Sequence, residues 1–319
     1  MRKLLPWLLR LIGPALLLLF LVRSDFGQLY TILISANIWP ILLSLLLLPP
    51  FLIIKSWRWR QLVRAMAMDL PLATAVGLYM VGIFLGATTP GQAGDLIKAW
   101  YLRDRGYPIA PALLSVVLDR LFDLLVMAAV ATLGIVALGS YLPNQALRTA
   151  LVVAIGLGLA VLTVVLVARG PRQWVLTTLL PRVLPAKMKQ ALERWSNELS
   201  TLAMHPQLMV QVGVASLISA GFTFFRLWLL FIALHISIPL YVVVGVSALI
   251  AVLQVLPISI SGLGVRDTAL IAVMAPYGYT TEQALSVAAL FLLINIEHII
   301  VGFIVSYWFP LGGVKGTGE

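Results

Sequence analysis

The chain has 319 residues, 61% of them hydrophobic and only 11% charged, with no cysteine, a net charge of +10 and a pI near 10.1. A soluble domain carries about 25% charged residues and needs them to stay in water, so a soluble protein is excluded, as are disulfides, thiolate nucleophiles and thiolate metal sites. A pI this high in a soluble chain would point to nucleic acid, but here the basic residues cluster between apolar runs, the placement expected of a membrane protein, so no nucleic acid partner is expected.

Apolar runs over 11–22, 41–54, 124–138, 150–168 and 284–294 approach, with their flanks, the roughly 20 residues that cross a bilayer. Arg2 and Lys3 precede the first run, and no small-residue cleavage site follows it. It reads as a retained anchor with the N-terminus inside. Residues 23–36, with only Arg23, then lie outside, and 55–70 return inside with Lys55, Arg58, Arg60 and Arg64. Within that stretch Trp57-Arg58-Trp59-Arg60 is aromatic and basic at a span's end, which suits anchoring in the lipid headgroup layer. The run over 72–89 breaks the alternation, because Lys98, Arg103 and Arg105 follow it and also belong inside. Either the positive-inside rule fails here and the run spans fully, or, the favoured reading, the segment enters the membrane, turns at Thr88-Thr89-Pro90-Gly91 and returns to the same side.

A long helix over 110–138 then leads out, the loop with Arg148 is external, and 150–168 leads back to an inside loop over 169–207. In that loop Met188, Leu192, Trp195, Leu199 and Leu202 form one stripe over 186–203, the pattern of an interfacial amphipathic helix. A span over 208–233 exits, 241–275 makes a second broken excursion, and 281–308 brings the C-terminus and Lys315 inside. The fold class expected is an all-α integral membrane protein of the inner or plasma membrane. It has about six full transmembrane spans plus two re-entrant, broken helical segments in a single polytopic domain.

The two breaks share a grammar. Thr88-Thr89-Pro90-Gly91-Gln92-Ala93-Gly94-Asp95 and Ser259-Ile260-Ser261-Gly262-Leu263-Gly264-Val265-Arg266-Asp267 each place small or hydroxyl residues and paired glycines before an acid that opens an apolar helix. They lie half a chain apart, so the halves 1–148 and 149–319 are expected to form an inverted repeat. Interrupted segments at corresponding positions of two halves point to a transporter's binding site, whereas the plainer reading of such glycines is close helix packing. A helix that starts inside the membrane aims unpaired N–H groups into the cavity and attracts anions. Asp95 and Asp267 also have a plainer role as caps of those starts.

Ionisable groups at membrane depth must pair or face a cavity. Asp119 and Asp123 lie one turn apart on one face of the 110–138 helix, with Arg120 about 100° round it. Arg226 is deep in an apolar run and Glu297-His298 lies within the last span. Pairing of Arg226 or Arg266 with Asp123 or Glu297 would satisfy both signs, and a structural ion pair is the plainer reading for any one of them. The substrate-binding set expected is Arg120, Arg226, Arg266, Asp119, Asp123, Gly91, Gly94, Asp95, Ser261, Gly262, Gly264, Asp267 and Glu297. The arginines would meet a phosphate, the glycines would admit backbone N–H groups, and the acids would orient the arginines or meet a cationic headgroup.

His205, His235 and His298 are too scattered for a zinc set, and no metal or other cofactor is expected. Ser259 or Ser261 with His298 lacks a nucleophile setting for proteolysis. Asp119 and Asp123, with Arg120 between them, lack the further acids of a phosphotransferase metal cage. No nucleotide-binding loop is present, so ATP is not an expected direct driver.

Taken together, Trp57-Arg58-Trp59-Arg60, Thr89-Pro90-Gly91-Gln92-Ala93-Gly94-Asp95, Ser115-Val116-Val117-Leu118-Asp119-Arg120-Leu121-Phe122-Asp123 and the stretch from Pro257 to Asp267 resemble the lysylphosphatidylglycerol synthase transmembrane-region family across nearly the whole chain. Asp267 stands where members of that family often carry Glu, and the charge is kept. The resemblance implies the flippase part of those synthases, here as a stand-alone, non-enzymatic member without the soluble synthase domain. It would move an amphipathic lipid with an anionic or phosphate-bearing headgroup between leaflets. The rival expectations are a secondary transporter of a small anion, and a non-transporting partner that presents lipid to a membrane enzyme such as a glycosyltransferase.

Overall fold

The computed structural model describes residues 24–137, 206–255 and 263–309, with Val22 and isolated positions between 145 and 178. Among the described residues every regular element is helical. In chain order these are α1 (Phe26–Ile34), α2 (Ile38–Leu46), α3 (Leu48–Ala65), α4 (Leu72–Thr88), a 3-10 segment (Pro90–Leu96), α5 (Ile97–Asp104) and α6 (Ile109–Ala137). After a gap in the described residues come α7 (Pro206–Ala233), α8 (Leu240–Val255), α9 (Val265–Met274) and α10 (Thr281–Ser306).

Among the described residues three stretches are long and apolar enough to cross a membrane: Ile38–Ala65, Pro206–Ala233 and Thr281–Ser306. They correspond to the spans expected at 41–54, 208–233 and 281–308. At 29 residues α6 is as long, and it carries Asp119, Arg120 and Asp123. The runs over 11–22 and 150–168 and the amphipathic stripe over 186–203 fall wholly or mostly outside the described residues. The stretch expected to be an outside loop contains α1, which starts where Asp25 accepts the backbone N–H groups of Gly27 and Gln28 at 2.8 and 3.1 Å.

The first of these stretches, Ile38–Ala65, corrects the sequence reading. Helix continues through Lys55, Arg58 and Trp59 to Ala65, because Pro49 and Pro50 sit in the first turn of α3, where proline is tolerated, and no breaker follows. Arg58 and Trp59 are therefore not headgroup anchors: both are fully buried, on the same helix as the span. Trp57 and Arg60 are half-buried.

At Thr89 the chain reverses, and the 3-10 segment and α5 run back along α4. Glycines set how close the two legs come. A Cβ on Gly94 would collide with the Leu85 carbonyl, and one on Gly82 would lie 2.5 Å from Asp95 Oδ1 and 3.0 Å from Lys98. Thr89 Oγ1 accepts the Gly94 N–H at 2.7 Å, satisfying a donor that the broken helix leaves free.

The legs of the two broken segments pack across the molecule. α4 lies on α10, where Gly302 takes Phe84 and Met80 against its bare Cα, and α8 lies on α6, where Gly134 faces Gly245 with only 2.6 Å left for a Cβ. One apolar core gathers α7 to α10 with α2 around Leu227, Phe231, Val243, Leu270 and Val287. A second gathers α3 to α6 around Trp59, Leu78, Met80 and Leu102. The polar residues described next lie between these cores.

Candidate functional site

A cavity of about 530 Å³ opens between the two cores, lined by residues of α3, α4, the 3-10 segment, α6, α7, α8 and α10. Its volume is that of a small-molecule site, and most of its wall is apolar, from Ile83, Val116, Leu124, Met127, Leu227 and Ile294. Its charged lining comes from Lys55, Asp95, Arg120, Asp123 and Arg226, joined by His298.

Behind the wall on the α3–α6 side lies a continuous ion network. Arg58 donates through Nε to Asp119 Oδ1 at 2.9 Å, through Nη1 to Asp123 and to Ser216 Oγ at 2.9 Å, and through Nη2 to the Asp119 carbonyl at 3.3 Å. Both Arg58 and Asp119 are wholly buried. Lys55 reaches Asp123 at 2.8 Å. Lys98, also fully buried, meets Asp95 at 2.9 Å without hydrogen-bond alignment, lies 3.6 Å from Asp119, and sits over the Tyr79 ring at 3.9 Å. Tyr79 donates its hydroxyl to Asp119 at 2.9 Å, and Trp59 donates to Ser115 at 3.2 Å. Helix geometry explains the gathering: Phe51, Lys55, Arg58 and Leu62 recur at intervals of four, three and four, one stripe of α3, and Ser115, Asp119 and Asp123 form the facing stripe of α6.

Arg120 turns from this stripe toward the break. Its Nε donates to Asp95 Oδ2 at 2.8 Å and its Nη1 to Gln92 Oε1 at 2.5 Å, and its side chain is 29% exposed to the cavity. Asp95 is thus a clamp shared by Arg120 and Lys98.

On the α7–α10 side the charges are fewer. Arg226 donates to the Ser44 carbonyl at 2.7 Å and to Glu297, and its Nη1 lies 3.1 Å from His298 Nε2. The guanidinium only donates, so this nitrogen accepts and the imidazole is neutral. His298 also stacks on Phe51 at 6.2 Å. Arg266 bonds the adjacent Asp267 at 2.9 Å and lies over the Phe291 ring at 4.9 Å.

The cavity wall therefore brings together Arg120, Asp95, Asp123 and Arg226 of the expected set. Asp119 and Glu297 stand behind it as partners of Arg58 and Arg226. Arg266 and Asp267 are not on the described wall. Asp267 accepts the Gly264 N–H at 2.9 Å, the plain capping role, and Gly264 has φ of 80°, a conformation glycine adopts freely. Gly91 and Gly94 lie in the 3-10 segment, while Ser261 and Gly262 lie outside the described residues. Of the expected pairings, Arg226 with Glu297 forms, whereas Asp123 pairs instead with Lys55 and Arg58. Charge clustering places those two cations and Lys98 in the inside loops, whereas Arg58 and Lys98 are fully buried among the helices. The signal that identifies them is the stripe Phe51, Lys55, Arg58, Leu62, which continues the apolar face of the preceding span. Among the described residues no group of His, Asp and Glu has the spacing of a metal site.

Residues 7–302 match the family model for the lysylphosphatidylglycerol synthase TM region, and the chain belongs to that family. No curated protein matches it.

Proposed function

We propose that this membrane protein is flippase-like and moves a lipid with a phosphate-bearing headgroup between leaflets of the cell membrane. The observation that carries the reading is the cavity itself. One chamber of about 530 Å³ takes Arg120 from one half of the chain and Arg226 from the other, at a depth where apolar helices surround it. Arginine at such a site binds phosphate through paired N–H groups, and the apolar lining excludes competing water. The chamber suits a headgroup, with the acyl chains left in the bilayer. Family membership supports the same reading.

In this reading the two broken segments are re-entrant, both termini face the cytoplasm, and the halves 1–148 and 149–319 form one inverted-repeat domain. The reversal at Thr89 and the packing of α4 on α10 and of α8 on α6 support it, since each half's first broken leg lies against the other half's last helix.

Leaflet exchange of fluorescent lipids in liposomes holding the purified protein tests the function. Exchange of anionic lipids that falls in Arg120→Gln and Arg226→Gln is expected. Absence of exchange for every lipid, with the protein folded and inserted, would sink translocation; release of a trapped water-soluble anion would favour small-anion transport. Exchange that needs a co-expressed membrane enzyme would favour the lipid-presenting role.

A further inference from the structure

We propose that the headgroup taken by this cavity carries one net negative charge and uncharged hydroxyls, as in a phosphodiester-linked polyol or sugar, and that a cationic, aminoacylated headgroup is refused. The lipid source of that headgroup rests on the translocation reading above; its chemistry rests on three features of the cavity.

The first is charge balance. Lys55, Arg58, Lys98 and Arg120 form one connected network with Asp95, Asp119 and Asp123, four cations against three carboxylates. Elsewhere near the cavity Arg226 is matched by Glu297 and Arg266 by Asp267, and His298 is neutral because its Nε2 accepts from Arg226. One positive charge among the described residues is left over at a depth where an unmatched charge is costly. A single anion at the Arg120 face restores neutrality. A dianionic phosphate monoester would instead bring surplus negative charge beside Asp95 and Asp123.

The second is that each carboxylate on the described wall already has a cation beside it. Asp95 gives Oδ2 to both Lys98 and Arg120, and its Oδ1, without a hydrogen-bond partner, is buried against Gly82 of α4, out of reach of the chamber. Asp119 is wholly buried under Arg58, Lys98 and Tyr79, and Asp123 is held between Lys55 and Arg58. The aromatic faces are occupied too: Lys55 lies over Phe51, Lys98 over Tyr79 and Arg266 over Phe291. Among the described wall residues an arriving ammonium finds no carboxylate and no benzene-type ring without a cation already beside it.

The third is the uncharged polar lining. Gln254, Asn295, Thr223 and Gln92 line the wall, and the side-chain amide nitrogen of Asn295 is buried without a hydrogen-bond partner. A buried amide donor is normally satisfied, and a ligand hydroxyl supplies the missing acceptor.

Affinities of short-chain lipids for the detergent-solubilised protein test the inference without requiring transport. The panel is dioctanoyl phosphatidylglycerol, its lysyl ester, phosphatidylethanol with the same charge and no hydroxyl, phosphatidylcholine, phosphatidic acid at pH 8, and chain-free glycerophosphoglycerol. Phosphatidylglycerol should bind at least about tenfold more tightly than the lysyl ester or phosphatidylcholine, and about fivefold more tightly than phosphatidylethanol. Asn295→Leu should remove the second preference and keep the first; Arg120→Gln should remove the first. Equal or tighter binding of the lysyl ester, tighter binding of phosphatidic acid, or no binding by any member overturns the proposal. Phosphatidylglycerol that binds with these preferences but never changes leaflet upholds the proposal and removes translocation. Equal affinity for glycerophosphoglycerol upholds the charge and hydroxyl assignment and moves the source to a soluble anion.

Discussion

On the α3–α6 side of the cavity each carboxylate serves at least two cations and the central pair, Arg58 with Asp119, is sealed from solvent. On the α7–α10 side each described arginine has one carboxylate, Arg226 with Glu297 and Arg266 with Asp267. Both sides pair charges at membrane depth, but by different means. Removing Arg58 from the shared network strips two buried carboxylates of a partner at once, whereas opening a single pair affects one carboxylate.

The sharpest way to break that contrast is to remove one arginine from each side. Arg58→Ala should cost about 3–5 kcal/mol, because Asp119 and Asp123 stay buried with a partner gone. Arg226→Ala should cost only about 1–3 kcal/mol. Thermal denaturation in detergent measures both, and equal losses would erase the distinction. Glycines of the two broken segments come next. Gly94→Ala forces a Cβ into the Leu85 carbonyl and should lower stability by about 1–3 kcal/mol. Gly264→Ala, which puts a side chain at a φ of 80°, should lose about 1–2 kcal/mol.

Arg120→Gln sharpens the comparison differently, since its 29% exposed side chain belongs to the first side in sequence yet faces the chamber. Stability should change by less than about 1 kcal/mol while leaflet exchange falls about tenfold or more. A large stability loss with unchanged exchange would place Arg120 with the structural network instead. The smallest effect is expected outside the spans at Asp69, whose carboxyl is held below its usual range by the hydrogen bond from Arg64. A depressed value means that any stabilisation is present at neutral pH and lost as pH falls through it. Because the pair is exposed and screened, Asp69→Asn should leave the denaturation midpoint unchanged at pH 7 and at pH 4.

The sequence reading succeeded where the solvent alone decides. Ile38–Ala65, Pro206–Ala233 and Thr281–Ser306 were legible because a bilayer demands about 20 apolar residues wherever a helix crosses it. It failed at Arg58 and Lys98, because the positive-inside rule assigns clustered basic residues to water and has no knowledge of a partner 61 residues away. Within the site, Arg120, Asp95, Asp123 and Arg226 stood out as charges in apolar surroundings. Gln92, Gln254 and Asn295 did not, since an amide in a membrane helix carries no sign and no period.

What the sequence determined by itself is the solvent of this protein, the helical class, the place of the first break and the need for charges at depth to find partners. All of these follow from local composition against a bilayer. Which cation meets which acid was decided only in the tertiary structure. Facing stripes of α3 and α6 give Arg58, rather than Arg120, to Asp119, and the reversal at Thr89 returns Asp95 to Arg120. Coulomb attraction selects partners by distance and burial, and neither exists until the helices pack.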